Sequence, residues 1–215
     1  MLARGFRCQL LACFCCLLLP LSASAGAYED MLGAVQARDV EKLSQLLRRG
    51  MDVNTTDLAG NSLIMLAARN GDFRTLEYLL KNNPNLHKQN KYGESAMLLA
   101  AFAGSLQSVK ALVEAGAEID PDGWTPLIYA AFEGHAAVVR YLLTLDIDID
   151  AQSDTGITAL MAACRNNRIE IVRILLEQDA DLDLQNQSKQ TALDLAVSGG
   201  YTDIVALLGT AGKRD

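Results

Sequence analysis

The sequence predicts an all-α repeat solenoid, built from helix pairs stacked along one axis. Three observations predict it. Gly60, Gly93, Gly123 and Gly156 recur at spacings of 33, 30 and 33 residues, and Lys189 falls 33 residues further on. After each marker comes a small polar residue and then an apolar, alanine-rich run, from Leu63 to Ala68 in the first case and Ala192 to Val197 in the last. A second segment then places apolar residues three and four apart, as in Val138, Val139, Leu142 and Leu143. Such spacing lines one face of a helix. A fixed period of this length is the mark of a stacked repeat, because one helix pair cannot bury its own apolar face.

Each unit reads as turn, short helix, tight loop, longer helix and extended finger. Ser62, Ser95, Thr125, Thr158 and Thr191 stand where a hydroxyl can cap the first helix by accepting an orphan backbone N–H. Pro126 costs no hydrogen bond, since a first-turn N–H has no partner within the helix. The marker glycines suit a turn that needs positive φ. Alanines let the first helix lie close to the second.

The N-terminus is read separately. Arg4 and Arg7 form a positive head, Leu10 to Leu21 an apolar run too short to span a bilayer, and Ala23-Ser24-Ala25 a small-x-small cleavage site. Residues 1–25 therefore read as a secretory signal peptide, cut between Ala25 and Gly26. Leu10-Leu11-Ala12-Cys13 resembles a lipobox, but only about five residues would separate Arg7 from Cys13, short of an apolar core. Removing the leader leaves 17 basic residues against 26 acidic ones, a net charge of −9. Such a surface repels phosphate backbones, which argues against a nucleic-acid partner. Four of the five cysteines leave with the leader, so Cys164 cannot form an intramolecular disulfide and packing must hold the stack.

This pattern resembles the ankyrin-repeat family over about residues 27 to 212. The period, Thr125-Pro126-Leu127 and the Gly134-His135 step carry the resemblance. It implies a curved solenoid with β-fingers along one edge. Six units fall at about 27–56, 57–89, 90–120, 121–152, 153–185 and 186–212, the first and last resembling caps, with the first helix starting near Glu29. Residues 26–215 form one repeat domain on this reading. Departures from the family pattern are Met65, Leu98, Ile128, Met161 and Asp194 at the usual histidine, Asn83-Pro84 in place of Gly-Ala, and Lys189 at a turn glycine.

Catalysis finds little support. The histidines are two, His87 on a finger and His135 in an inter-helix loop. One mature cysteine cannot build a structural zinc site, and neither a nucleophile elbow nor a phosphate loop is present. The alternating strings Asp146/Asp148/Asp150 and Asp179/Asp181/Asp183 invite a calcium reading. Counting from Asp146, the places that need Gly and Glu hold Ala151 and Ile157, so the strings read as fingers with carboxylates outward. Cys164 sits where other units carry Ala68, Ala101 and Ala131, a buried slot. No cofactor and no metal are expected.

In ankyrin relatives, partner contacts come mostly from the finger positions and from the exposed end of the first helix. Transferred to this chain, they include Arg69, Tyr92, Glu94, Phe102, Asp122, Trp124, Phe132, Glu133 and Arg165, with Asn61 and Ile157 at equivalent finger places. Tyr92, Phe102, Trp124 and Phe132 all fall in the third and fourth units, and Trp124 is the only tryptophan. Exposed aromatics at such density mark a binding hot spot. The finger at Asp120-Pro121-Asp122-Gly123 is three residues short, which predicts a notch beside Trp124, rimmed by Glu94, Asp122 and Glu133. The expected partner is another protein, an envelope enzyme or a toxin, presenting a basic or apolar projection. The resemblance to small exported bacterial ankyrin proteins implies a periplasmic or secreted adaptor, without stable membrane insertion after cleavage. The alternative is a dedicated inhibitor or immunity protein, steered by its acidic charge toward a basic target.

Overall fold

In the computed structural model, residues 21–119 and 123–212 are described, with side chains from residue 26 onward. The leader up to Pro20, its lipobox cysteine and Asp120–Asp122 of the short finger lie outside the described residues. Among the described residues twelve helices form pairs: α1 (Leu21–Gln36) with α2 (Val40–Arg48), α3 (Leu63–Arg69) with α4 (Phe73–Leu80), and α5 (Ala96–Phe102) with α6 (Leu106–Glu114). Then come α7 (Pro126–Glu133) with α8 (Ala136–Leu142), α9 (Ala159–Arg165) with α10 (Ile169–Leu176), and α11 (Ala192–Ser198) with α12 (Thr202–Ala211). The odd helices form one layer and the even helices the other. Odd helices approach their neighbours more closely than even ones do. Alanine explains the difference: Ala67, Ala68, Ala100, Ala101, Ala130, Ala131, Ala162 and Ala163 are buried where these helices meet. The core is continuous from Met31 to Leu208.

Capping follows the expected positions with one exception. The side chains of Ser95, Thr125, Thr158 and Thr191 accept from the N–H three residues on, at 3.2–3.3 Å. Ser62 does not: its hydroxyl is buried without a partner, and its own N–H points to the Met65 sulfur at 3.3 Å. α1 starts at Leu21 rather than near Glu29, since Ala23, Ala25 and Ala27 offer no breaker. The buried residues described in α1 are Met31, Ala34 and Val35, all beyond the expected cut.

The fingers are turns, not β-strands. Among the described residues the one β-type pairing is an isolated bridge between Thr56 and Ser62. A repeated five-residue loop takes the place of a ladder. The N–H of Asp57 donates to the Asn61 carbonyl, and Asn90, Ser153 and Asn186 do the same four residues on, at 2.9–3.0 Å. Side chains capture the remaining amides. Asp57 Oδ1 accepts from Ala59 and Asn61, Asn90 Oδ1 from Tyr92 and Glu94, and Asn186 Oδ1 from Ser188 and Gln190. Backbone amides satisfied inside their own loop cannot pair along a strand. Adjacent loops are tied by backbone bonds, from Lys91 N–H to the Ala59 carbonyl and from Gln187 N–H to the Thr155 carbonyl, both at 3.0 Å, with side-chain bonds beside them. Lys189 keeps the glycine geometry with φ +60°, and Asn83 takes φ +52° where glycine is usual, so both departures leave the turn intact.

Candidate functional site

The outer end of each odd helix, together with its turn, forms a row of equivalent positions. Arg69, Phe102, Phe132 and Arg165 occupy one row, and Asn61, Glu94, Trp124 and Ile157 the row beside it. Asn61 and Ile157 are buried, so neither offers a contact surface. Arg69 and Arg165 are exposed at the two ends. Between them the rings gather. Trp124 lies 5.0 Å from Tyr129 between ring centroids, tilted at 46°. Phe132 meets Trp124 edge-on at 6.1 Å, and Phe102 meets Tyr129 edge-on at 5.9 Å. These are favourable aromatic separations. Tyr129 is therefore the centre of the cluster. Sequence reasoning passed over it because its register partners Leu66, Leu99 and Ala162 are interior residues; the signal was an aromatic in a series that otherwise lacks one.

Two expectations change here. Trp124 is not a projecting anchor: it is half-buried, packed on the core as well as on its neighbours, and so is Phe132. Tyr92 does not join the ring cluster but stands 78% exposed on the third-unit finger, while Phe102 remains 41% exposed. Leu58, at the tip of the preceding finger, is 88% exposed and was not among the expected hot-spot residues. Two finger tips thus expose apolar side chains in the second and third units, in addition to Phe102 of the ring cluster. Asp122 lies outside the described residues.

Electrostatics at the cluster centre on Glu94. Its Oε2 accepts from Asn90 Nδ2 at 2.7 Å, and that amide, itself buried, also donates to Asn61 Oδ1 at 2.8 Å. Burial pushes the Tyr129 phenol above its ordinary range, and the negative charge of Glu94 pushes it further the same way. On the neighbouring finger Asp57 is pushed up by burial. Bonds from the Asn61 side chain and from the Asn61 and Ala59 amides, together with the Arg69 charge, outweigh this and hold it below the usual range.

The candidates for chemistry are accounted for structurally. His135 Nε2 donates to the Phe102 carbonyl at 2.8 Å, tying α8 to the preceding unit. Gly104 is required for it: a Cβ there would sit 2.4 Å from His135 Nδ1. Arg168 repeats the device, donating from Nε to the Phe132 carbonyl at 3.1 Å. Cys164 is fully buried, and burial pushes its thiol up to about 12, far from a reactive thiolate. The aspartate strings form a ladder of bonds to backbone. Asp148 Oδ1 accepts from Asp150 N–H, Asp150 Oδ1 from Asp181 N–H, and Asp181 Oδ1 from Asp183 N–H, at 2.8–3.0 Å. Among the described residues, no group of three or more His, Cys, Asp or Glu side chains is placed to hold a metal ion. Nor is any described helix long and apolar enough to cross a membrane.

A two-layer solenoid of helix pairs, with rings and carboxylates on the open ends of one layer, defines a stacked-repeat protein. The chain belongs to the ankyrin-repeat family. A family model for ankyrin repeats (three copies) matches residues 31–121, 64–153 and 145–214. The human ASB11 ankyrin repeat domain superposes with a TM-score of 0.78 at 26% identity, covering 87% of this chain and 84% of that one. Protein phosphatase 1 regulatory subunit 27 is 46% identical over 54 residues in both mouse and human, covering 24% of this chain and 35% of the relative. A transient receptor potential cation channel subfamily A member 1 homolog of Caenorhabditis elegans is 36% identical over 113 residues, covering 52% of this chain and 9% of the channel. The chain therefore spans about a third or less of the curated relatives it matches. Ankyrin repeats generally mediate binding between proteins, and these animal relatives carry them in a regulatory subunit and a channel.

Proposed function

We propose that this chain is a non-catalytic protein-binding adaptor of the bacterial envelope, exported by its leader, that engages a partner protein through the finger tips of the second and third units and the ring cluster of the third and fourth. The observation that carries the binding site is the group Phe102, Tyr129, Trp124 and Phe132, joined ring to ring with Phe102 exposed, while Leu58 and Tyr92 stand exposed on the fingers of the second and third units. Rings already packed on one another lose little freedom when a partner covers them, which is what a hot spot requires. The export part rests on Arg4, Arg7, the apolar run and Ala23-Ser24-Ala25. Cleavage after Ala25 would leave Met31, Ala34 and Val35 to close the first unit.

Photocrosslinking in intact cells tests the site. A photoreactive phenylalanine at Tyr92 or Phe102 should give a discrete adduct with a partner, and one at Arg140, exposed on α8, should give none. Adducts from Arg140 alone would overturn the assignment of the surface. Intact mass of protein from the envelope fraction tests the export: the mature chain should begin at Gly26. A mass that includes Met1, or a lipid on Cys13, would overturn it.

A further inference from the structure

Two half-buried carboxylates belong to the ring-bearing units, Glu94 one place past the third unit's turn glycine and Glu133 next to Phe132 in the chain, and among the described residues neither is ion-paired. Among the described residues the ion pairs are Lys42–Asp30, Lys81–Glu77 and Arg140–Glu170, none of them at the cluster. Glu94 is held by the amide of a buried asparagine rather than by a charge, so its carboxylate is fixed in place but not neutralised. It lies close enough to Tyr129 for its charge to act on that ring. Glu94 and Trp124 hold the same register place in adjacent units, and Trp124 is tilted against Tyr129; a fixed carboxylate near such rings is a seat for a cation. Resting on the binding reading above, we propose that the cluster captures an arginine side chain from an extended segment of the partner protein, its guanidinium stacked on Trp124 and Tyr129 and paired with Glu94.

Arginine fits better than lysine for two reasons. A planar guanidinium stacks on a ring while donating in its own plane to a carboxylate, and it sheds water more readily than an ammonium. The net charge, −7 for the full chain and −9 without the leader, brings such a segment in. The row also sets what may flank it. Arg69 and Arg165 stand one unit to either side of Phe102 and Phe132, and stacked helices are spaced by about 10 Å. Like charges on the segment at those distances would be repelled. The preferred occupant therefore has one arginine with neutral or acidic neighbours, not a basic run.

Trp124 is the only tryptophan, so its fluorescence reports on this site alone. The probes are blocked Gly-Ser-Arg-Ser-Gly, the same peptide with citrulline for arginine, and blocked penta-arginine. The arginine peptide should give a saturable change, with citrulline binding about tenfold weaker, as expected for loss of a charged hydrogen bond and ion pair. Penta-arginine should gain nothing over the single arginine beyond its fivefold count of residues. Glu94→Gln should cost the arginine peptide about tenfold and leave the citrulline peptide unchanged, with the helical signal intact. Equal binding of arginine and citrulline, or no saturable change with the arginine peptide up to millimolar concentrations, would overturn the proposal. So would an unaffected Glu94→Gln variant. If that happens while Phe102 still crosslinks to a partner, the surface stands and the guanidinium assignment alone is lost. If Phe102 gives no adduct either, the binding reading fails with it.

Discussion

Trp124 shows how a single residue can serve stability and recognition together. Its ring is half-buried, wedged between Tyr129 and Phe132 at 5.0 and 6.1 Å. Trp124→Ala should lower stability by about 1–3 kcal/mol as well as weaken binding, because it removes packing from both neighbours. Phe102→Ala, from a ring 41% exposed, should leave the thermal transition nearly unmoved and still weaken partner binding. Thermal melts beside binding isotherms separate the two effects; a melting temperature unchanged by Trp124→Ala would show that the ring contributes to recognition alone. Asp150 makes the opposite case, a residue whose charge works against the fold. Burial raises its carboxyl above the ordinary range, the bond from Asp181 N–H lowers it, and the charges of Asp181 and Asp148 raise it again, leaving a net rise. The folded chain thus holds this proton more tightly than the unfolded one. Stability falls as pH rises through the unfolded and then the folded value, and the penalty is complete at neutral pH. Asn54 shows the remedy at the equivalent place in the first unit, where its Oδ1 accepts from Asn85 N–H at 2.7 Å. Asp150→Asn should keep the bond to Asp181 and raise stability at pH 7 by a few tenths of a kcal/mol, since solvent screens much of the repulsion. The gain should vanish below pH 3, where Asp150 is protonated in both states; a gain that persists there would point to a cause other than charge.

At the scale of the element, the turn marker is the sharpest test of the repeat. Gly60, Gly93, Gly123 and Gly156 take φ from +77° to +85°, and Lys189 holds +60° at the fifth place. A left-handed conformation costs an L-residue roughly 1–2 kcal/mol, and glycine gives part of that back through the entropy of the unfolded chain. Lys189→Gly should therefore stabilise by roughly 0.5–1 kcal/mol. Gly156→Ala should cost about 2 kcal/mol or more, because its Cβ would also come within 2.9 Å of Asn186 Cα in the next finger. Chemical denaturation of the two variants checks the pair, and a neutral Gly156→Ala would mean that neighbouring fingers are not in contact in solution. The markers and helix faces were legible in sequence because period and apolar spacing report packing directly. The fingers were less so. β-fingers were expected, yet the side chains of Asp57, Asn90 and Asn186 claim the amides that strands would use. The candidate site was legible in part: register placed Phe102, Phe132, Arg69 and Arg165 on one row, but no spacing rule could show that Trp124 turns inward onto Tyr129. That depends on the tilt of one ring against another, which is set by the packed neighbours.

The described residues form a stack, so every interior unit has two neighbouring units and each end unit has one. Units in such an array are stabilised by their own packing and by each interface, with little direct contact beyond the next unit. The C-terminal end shows the consequence. Leu193 and Val197 of α11 are 41% and 58% exposed, whereas Leu160 and Cys164, at the same register in α9, are 1% and 0% exposed. In the interior the next odd helix covers these positions, and among the described residues nothing follows α11 to do so. Asp194 softens that face, standing where α9 has the buried Met161; its carboxyl is held below its ordinary range by the Thr191 N–H and hydroxyl. A charge should be tolerated on this end and ruinous one unit inward. Val197→Lys is expected to change stability by no more than about 0.5 kcal/mol, as for other exposed substitutions. Ala131→Lys, at the same register but fully buried in α7, should cost about 4 kcal/mol or more and break the stack between the fourth and fifth units. Urea melts of the two variants, read beside sedimentation over a range of concentration, make the comparison complete. If Val197→Lys proves as costly as a core change, and the parent protein sediments faster as concentration rises, then a second copy covers α11 in solution and the exposed end is an interface. If it is tolerated and the parent stays monomeric, the odd helix of the last described unit is open to water in solution.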